Sequence, residues 1–130
     1  TAIALVGTLG MGKTCFAKGF VEALGLDKSQ VCSPTFSLLH EYDTDPPVLH
    51  LDVYRLEPED LPNLGLEERI DDQIDVEEGF VLVEWADLHP QLMPANTVWI
   101  QFLTGDAGRS LAITGPAAVL DLLERRAVEL

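Results

Sequence analysis

A glycine-rich stretch from Gly7 to Thr14 lies between an apolar run and an amphipathic one, and this order is what most restricts the fold. The run before it, Ala2 to Val6, is apolar without alternation, as strands covered on both faces of a parallel sheet are. The run after it, Lys13 to Leu24, carries apolar residues at helical spacing and ends at Gly25, a residue type that commonly terminates helices. The chain is therefore predicted to begin with a strand, a tight turn and a helix, the repeating unit of α/β proteins.

The glycine-rich stretch reads GTLGMGKT and matches the pattern G-x4-G-K-T of the phosphate-binding P-loop. Glycines let the backbone curl with its N–H groups pointing inward, and the following helix N-terminus adds unpaired N–H groups and partial positive charge. In this pattern the Lys13 side chain reaches the β- and γ-phosphates, and the Thr14 hydroxyl is a magnesium ligand. The alternative is a glycine turn with a surface lysine. The predicted nucleotide-binding residues here are Gly7, Thr8, Leu9, Gly10, Met11, Gly12, Lys13, Thr14 and Cys15.

Two further apolar runs each end in an acidic residue. They are Val48 to Asp52 and Phe80 to Glu84. A P-loop site needs a carboxylate for magnesium at the end of a neighbouring buried strand, so both acids are candidates. We expect Asp52 on the metal side, and Glu84 either polarising the attacking water or completing the metal site. The alternative for each is a polar residue that only closes a strand.

The remaining sequence patterns also favour an α/β fold. Glu57 to Asp72 indicates two short helices broken between Pro62 and Gly65. Thr97 to Leu103 alternates, and a turn-forming segment leads it back into Ser110 to Thr114, which predicts an antiparallel hairpin. Ala117 to Leu130 indicates a closing helix. We predict a P-loop NTPase-like three-layer sandwich with a mostly parallel sheet and a C-terminal antiparallel hairpin.

Charge is distributed unevenly along the chain. Its 22 acidic and 8 basic residues give a net charge of −14, and 16 of the acids lie within residues 41–90. Such a chain repels polyanions, so we expect no tight direct binding of nucleic acid. The acidic middle is either a solvated surface or a docking face for a basic partner.

Composition narrows the cellular location. Apolar residues make up 47% of the chain without a run of membrane-spanning length, and nothing resembles a signal peptide. Two cysteines are too few for a disulfide framework. We therefore expect a cytoplasmic protein with no membrane contact.

Other nucleotide-binding classes lack their characteristic parts. No N-K-x-D segment is present to read guanine, which disfavours a GTPase, and the five arginines are too scattered for the lid of a small-molecule kinase. The three histidines, His40, His50 and His89, lack metal-ligand spacing, and we expect ordinary structural roles for them. Two alternatives stay open beside an ATPase. One is a small-molecule phosphotransferase that uses the same loop, and the other is a regulatory module that binds nucleotide and hardly hydrolyses it.

With these residues in view, the chain resembles the bacterial TsaE (YjeE) family of P-loop ATPases, which act in tRNA threonylcarbamoyladenosine biosynthesis. The resemblance covers nearly the whole chain through five segments, GTLGMGKTCFAKGF, SPTFSLLHEY, HLDVYRL, LGLEE and VEWAD. The P-loop alone is shared by a superfamily, whereas the later segments in this order are far more specific. The resemblance implies an accessory factor that binds ATP and Mg²⁺ and hydrolyses ATP weakly. It would work with TsaD and TsaB partner proteins and reset their complex between cycles of modifying adenosine 37 of certain tRNAs.

The resemblance also implies roles for individual residues. Thr35 of SPTF would lie near the γ-phosphate and the metal, with Lys13 and Glu84 serving catalysis. Trp85 would be a functional tryptophan beside the nucleotide, the alternative being an ordinary half-buried core aromatic. Arg109 is either a family feature or a hairpin arginine on a solvated face.

The chain departs from the family pattern at its start. Thr8 stands where the family usually has an acid, and Met11 where it commonly has alanine. The missing acid puts its role in switching or partner contact in question, though not phosphate binding. Family members also begin with a helix and a strand ahead of the P-loop strand. We therefore expect residues 1–130 to form a single P-loop ATPase domain without those elements, in which adenine-binding residues are not assigned.

Overall fold

The computed structural model describes residues 1–8, 12–27, 38–105 and 108–121, with the backbone alone at Arg109. The helices and strands in these ranges are β1 (Ala2–Val6), α1 (Lys13–Ala23), β2 (Leu39–Tyr42), β3 (Val48–Asp52), α2 (Leu61–Leu64), α3 (Leu66–Asp75), β4 (Phe80–Glu84), β5 (Val98–Gly105) and β6 (Gly108–Thr114). A further helical stretch covers 117–121. Among the described residues, no helix is long and apolar enough to span a lipid bilayer.

The six strands found in these ranges form one sheet in the order β2-β3-β4-β1-β5-β6. The central strands β3, β4, β1 and β5 are parallel, while β2 and β6 pair antiparallel at the two edges. Parallel strands bring their carboxyl ends to one edge of the sheet, and the loop between β1 and α1 leaves from that edge. The predicted fold class, with its mostly parallel sheet and C-terminal hairpin, is confirmed.

Helices cover both faces of the sheet. Ala4 of β1 packs in one apolar cluster with Ile70 of α3, and its neighbour Leu5 packs on the opposite side with Val21 of α1. All four side chains are fully buried. Because successive strand residues point to opposite faces, β1 supplies both cores, and three layers result.

The buried parallel strands begin and end where their apolar runs do. The observed bounds of β1, β3 and β4 coincide with the predicted ones. The first helix begins at Lys13 as expected and is followed by Gly25 at φ 100°, a conformation that favours glycine. The predicted closing helix begins at 117, and its part beyond 121 lies outside the described residues.

Strand β2 is an element that the sequence patterns did not delimit. Its residues, Leu39–Tyr42, lie within the segment SPTFSLLHEY, for which no secondary structure was predicted. The strand is four residues long and is paired along its length with β3, with Tyr42 opposite Val48. So short a strand carries little periodicity of its own, and its conformation depends on the pairing with β3.

The break between the two middle helices was predicted too broadly. Helix α2 includes Pro62 in its first turn, where proline is tolerated because the backbone N–H there has no helical partner. The break lies at Gly65 alone, at φ 62°. The hairpin strands likewise extend further into the predicted turn, up to the pair Gly105 and Gly108.

Candidate functional site

The two acids that close apolar strands lie side by side at the carboxyl edge of the sheet. In the parallel register, Asp52 of β3 pairs with Glu84 of β4, and Glu84 pairs with Leu5 of β1. The glycine-rich loop starts two residues after Leu5, at Gly7. The topology therefore brings both acids next to the loop and the start of α1, as expected for a P-loop site.

Lys13 is held against the start of the loop. Gly12 precedes it as the N-cap of α1 at φ 107°. The Lys13 ammonium donates to the carbonyl oxygen of Gly7 at 2.6 Å and to that of Thr8 at 2.9 Å. Only 5% of this residue is exposed. Burial lowers the pKa of Lys13, and the charges of Glu84, Asp87 and Asp52 oppose that shift only in part.

Glu84 has a contact on each carboxylate oxygen. Its Oε1 accepts a hydrogen bond from the Thr14 hydroxyl at 2.9 Å. Its Oε2 lies 2.7 Å from Nε2 of His50. Glu84 is 3% exposed, so the helix start and the strand end meet through a carboxylate that is nearly closed off from bulk water.

Asp52 is more open than Glu84. Its Oδ1 accepts a hydrogen bond from the backbone N–H of Tyr54 at 3.0 Å. Burial raises the pKa of Asp52, and the neighbouring Glu84 charge adds to that rise. The Tyr54 N–H, His50 and Lys13 act in the opposite direction. No ion pair to Asp52 occurs among the described residues, so its carboxylate would gain from a cation beside it.

The donor set at this edge fits magnesium in the form in which nucleotide enzymes hold it. Within the described ranges, no group of three or more His, Cys, Asp and Glu side chains could hold a metal alone. Magnesium in phosphate sites uses one or two carboxylates, with phosphate oxygens and water completing the octahedron. Thr14, Asp52 and Glu84 provide a hydroxyl and two carboxylates of this kind, so the residues suit the ion together with a phosphate.

Trp85 connects the end of β4 to the loop. It adopts φ 63°, which is unusual for a residue other than glycine, and its N–H donates to the carbonyl oxygen of Leu5 at 3.0 Å. The Lys13 ammonium lies 4.0 Å from the centre of its ring, and the Tyr54 ring lies 4.6 Å away. The ring also packs against the core cluster on the α3 side. Both readings of this tryptophan, site residue and core aromatic, agree with these contacts.

Comparison with known proteins identifies the chain. The family model described as threonylcarbamoyl adenosine biosynthesis protein TsaE matches residues 1–111. The chain belongs to the TsaE family. The family's role is in tRNA threonylcarbamoyladenosine biosynthesis.

Relatives of this TsaE-family chain agree over most of its length. It is 42% identical over 114 residues to the TsaE protein of Bacillus subtilis, covering 86% of this chain and 68% of that one. It is 35% identical over 117 residues to the TsaE protein of Nostoc, covering 89% and 70%. The crystal structure of YdiB from Bacillus subtilis superposes with a TM-score of 0.69 at 30% identity, covering 98% and 76%.

The structure does not describe several residues that were predicted for the TsaE site. Thr35 and the loop residues Leu9, Gly10 and Met11 lie outside the described residues, and of Arg109 only the backbone in β6 is described. Cys15 is exposed on α1 as a free thiol.

His50 contacts a predicted site residue, which the sequence patterns did not indicate. An ordinary structural role was expected for it, yet its ring contacts the Glu84 carboxylate. A signal was present, because His50 lies two residues before Asp52 in a predicted strand. That spacing places both side chains on the same face of the sheet.

Proposed function

We propose that this chain binds ATP with Mg²⁺ and hydrolyses it weakly, as an accessory factor for threonylcarbamoyladenosine formation at position 37 of tRNA. The observation that carries the proposal is the meeting of Lys13, Thr14 and Glu84 where the loop after β1 enters α1. A lysine on the loop, a hydroxyl in the first turn and a strand-end carboxylate are the parts that phosphoryl transfer needs.

Lys13 would bind the phosphates. Its ammonium now donates to two neutral carbonyl oxygens, those of Gly7 and Thr8. Phosphate oxygens in their place would form charge-assisted hydrogen bonds, which are shorter and stronger. The lowered pKa of Lys13 has the same implication, since burial deprives the ammonium of water and an anion would compensate it.

Thr14 and Asp52 would hold the magnesium ion. The Thr14 hydroxyl lies at the first turn of α1, and the Asp52 carboxylate lies at the adjacent strand end. When bound, the ion neutralises charge on the phosphates and favours attack on them. Asp52 would supply negative charge to the ion, and Thr14 would offer it a hydroxyl lone pair while its O–H donates to Glu84.

Glu84 would orient the attacking water. Its Oε1 accepts the Thr14 hydrogen bond and has a second lone pair that could accept from a water molecule. The near-complete burial of Glu84 strengthens a hydrogen bond made there. On the family resemblance, Thr35 would contact the γ-phosphate and Trp85 would lie beside the nucleotide.

The proposed partner is a protein complex of the TsaD and TsaB type, which would dock on the acidic face of α3. Glu67, Glu68, Asp71 and Asp72 of this helix are all exposed. A groove of about 610 Å³ beside the helix is lined by the further acids Asp43 and Glu77, and by Glu41, whose carboxylate is paired with Arg69. Such a face attracts a basic protein surface and repels tRNA, so the tRNA would be bound by the partner complex.

Phosphate release measured for the chain alone, with the partner complex, and with a set of small phosphate acceptors tests the proposed function. We expect slow release by the chain alone, faster release with the complex, and no transfer to an acceptor. Transfer to a small acceptor without the complex would favour a phosphotransferase instead. Binding of ATP without hydrolysis in any mixture would favour a regulatory module.

A further inference from the structure

We infer that His50 is a positioning residue for Glu84, and that its imidazole donates a hydrogen bond from Nε2 to Oε2 of the carboxylate. The two atoms are 2.7 Å apart. The inference deepens the proposed function, since it rests on Glu84 acting in ATP hydrolysis. In this arrangement His50 does not touch the nucleotide and acts only through Glu84.

The contact with Glu84 and the burial of the ring together indicate which tautomer His50 adopts. His50 is 0% exposed, and its Nδ1 has no hydrogen-bond partner in the described part of the chain. A carboxylate only accepts hydrogen bonds, so the contact with an ionised Glu84 needs the proton on Nε2, and a second proton on Nδ1 would leave a buried donor unpaired. The neutral ring with its proton on Nε2 leaves only a lone pair at Nδ1. In that tautomer Nε2 is the donor and Glu84 accepts as a carboxylate.

The two carboxylate oxygens of Glu84 have different partners. The Thr14 hydroxyl donates to Oε1. The negative charge of Asp52 and the positive charge of Lys13 also lie near the Glu84 carboxylate. His50 is the contact on Oε2. A carboxylate oxygen can accept two hydrogen bonds, so Oε1 could also accept from a water while Oε2 stays bound to His50. The His50 contact therefore holds the carboxylate in one orientation while Oε1 makes its own contacts.

A purely structural reason for a histidine at this position is weak. Leu82, which lies opposite His50 in the parallel register, is a fully buried aliphatic residue in the core on the α1 side. An aliphatic residue at position 50 would continue that apolar surface, whereas a buried imidazole costs desolvation that its one hydrogen bond must offset. The hydrogen bond to Glu84 is therefore the reason we give for a histidine at position 50.

Histidine ¹⁵N NMR on the ligand-free chain tests the tautomer without any turnover. The chain has three histidines, so a His50→Gln sample identifies the His50 signals by their loss. We expect a His50 ring protonated at Nε2 and unprotonated at Nδ1. A ring whose main form carries a proton on Nδ1 would overturn the inference.

A double-mutant cycle tests the action through Glu84. His50→Leu is expected to lower the rate at saturating ATP about tenfold or more while ATP affinity changes less than about twofold. His50→Gln keeps an N–H donor at similar reach and should stay within about threefold of wild type. The pair His50→Leu with Glu84→Gln should be no slower than Glu84→Gln alone, because contacting residues are not additive. A further loss in the pair would overturn the inference.

His89 provides a matched control. It too is a buried histidine whose Nε2 has one contact, the Leu56 carbonyl oxygen at 2.9 Å, and whose Nδ1 has no partner among the described residues. His89→Leu should lower stability without lowering the hydrolysis rate per folded molecule. Equal rate losses in His89→Leu and His50→Leu would contradict a specific role for His50. The absence of ATP hydrolysis with and without the partner complex would contradict the proposed function, and the NMR result would still test the tautomer of His50 independently.

Discussion

The Thr14 hydroxyl donates to Glu84 Oε1 over 2.9 Å, although the two residues are 70 positions apart in the chain. This contact joins the first turn of α1 to the end of β4. It places a hydroxyl of the kind that binds magnesium on the carboxylate of the kind that orients water. The residues proposed for magnesium binding and for water orientation are therefore in contact. Variants of single residues can separate the two roles.

Asp52→Asn and Glu84→Gln should have different effects. Asp52→Asn removes negative charge beside the proposed ion, so the magnesium concentration needed for ATP binding should rise. Glu84→Gln keeps the shape but weakens the polarisation of water, so the rate at saturating ATP should fall by about 10²-fold or more. Magnesium titrations and turnover measurements on both variants check this. Lost ATP affinity with an intact rate in Glu84→Gln would exchange the two roles.

Asp52 should also make the ligand-free protein less stable at neutral pH. Burial raises the pKa of Asp52 above its ordinary value of 3.8, so the folded chain holds this proton more tightly than the unfolded chain. The free energy of unfolding therefore falls as pH rises from the unfolded pKa through the folded one. Asp52→Asn keeps an oxygen for the Tyr54 N–H and should be more stable than wild type at pH 7, with the gain vanishing below the unfolded pKa. Urea unfolding at several pH values checks this, and a gain independent of pH would contradict it.

Trp85 should report nucleotide binding through its contact with Lys13. If the ammonium moves from above the ring to a phosphate, the cation–π contact is lost and the emission of Trp85 should change. The chain has one other tryptophan, Trp99 in β5, so Trp99→Phe leaves Trp85 as the sole emitter. ATP titration of Trp99→Phe should change the emission. The matched Trp85→Phe chain should show no change, and a signal confined to that chain would contradict the proposed position of the nucleotide.

Reversing the acidic face of α3 should slow partner association and spare ATP binding. The residues to be changed to lysine are Glu67, Glu68, Asp71 and Asp72. Complementary charge speeds encounter and makes it sensitive to salt, so the wild-type association rate should fall as ionic strength rises. Glu22→Lys, an exposed reversal on α1, is a control at the other face of the sheet. A flat salt response in wild type and variant alike would leave the acids as a solvated surface.

The parts of the site that are local in sequence could be predicted from it. The loop motif is contiguous, and Asp52 and Glu84 could be found because buried parallel strands are continuous apolar runs with polar ends. The contact between His50 and Glu84 could not be predicted in the same way. It depends on the register of β3 against β4, and no local pattern determines which of two distant strands become neighbours.

The same limit applies to the fold. Strand β2 is set by its pairing with β3 rather than by its four residues, and the first turn of α2 tolerates Pro62, which the sequence pattern took as part of a break. Predictions from local patterns were accurate for strands that are buried along one continuous apolar run of sequence. They were inaccurate where a distant neighbour or a position within a helix decides the outcome.

ATP titration of wild type, Lys13→Ala and Lys18→Ala, with and without magnesium, tests the central claim most directly. Lys13→Ala removes the buried ammonium at the loop and should weaken ATP binding by about 2–4 kcal/mol or more. Lys18→Ala, on the same helix but away from the loop, should bind ATP like wild type, and circular dichroism should show all three chains folded. A folded Lys13→Ala chain that binds ATP with wild-type affinity would contradict the assignment of this loop as the phosphate site.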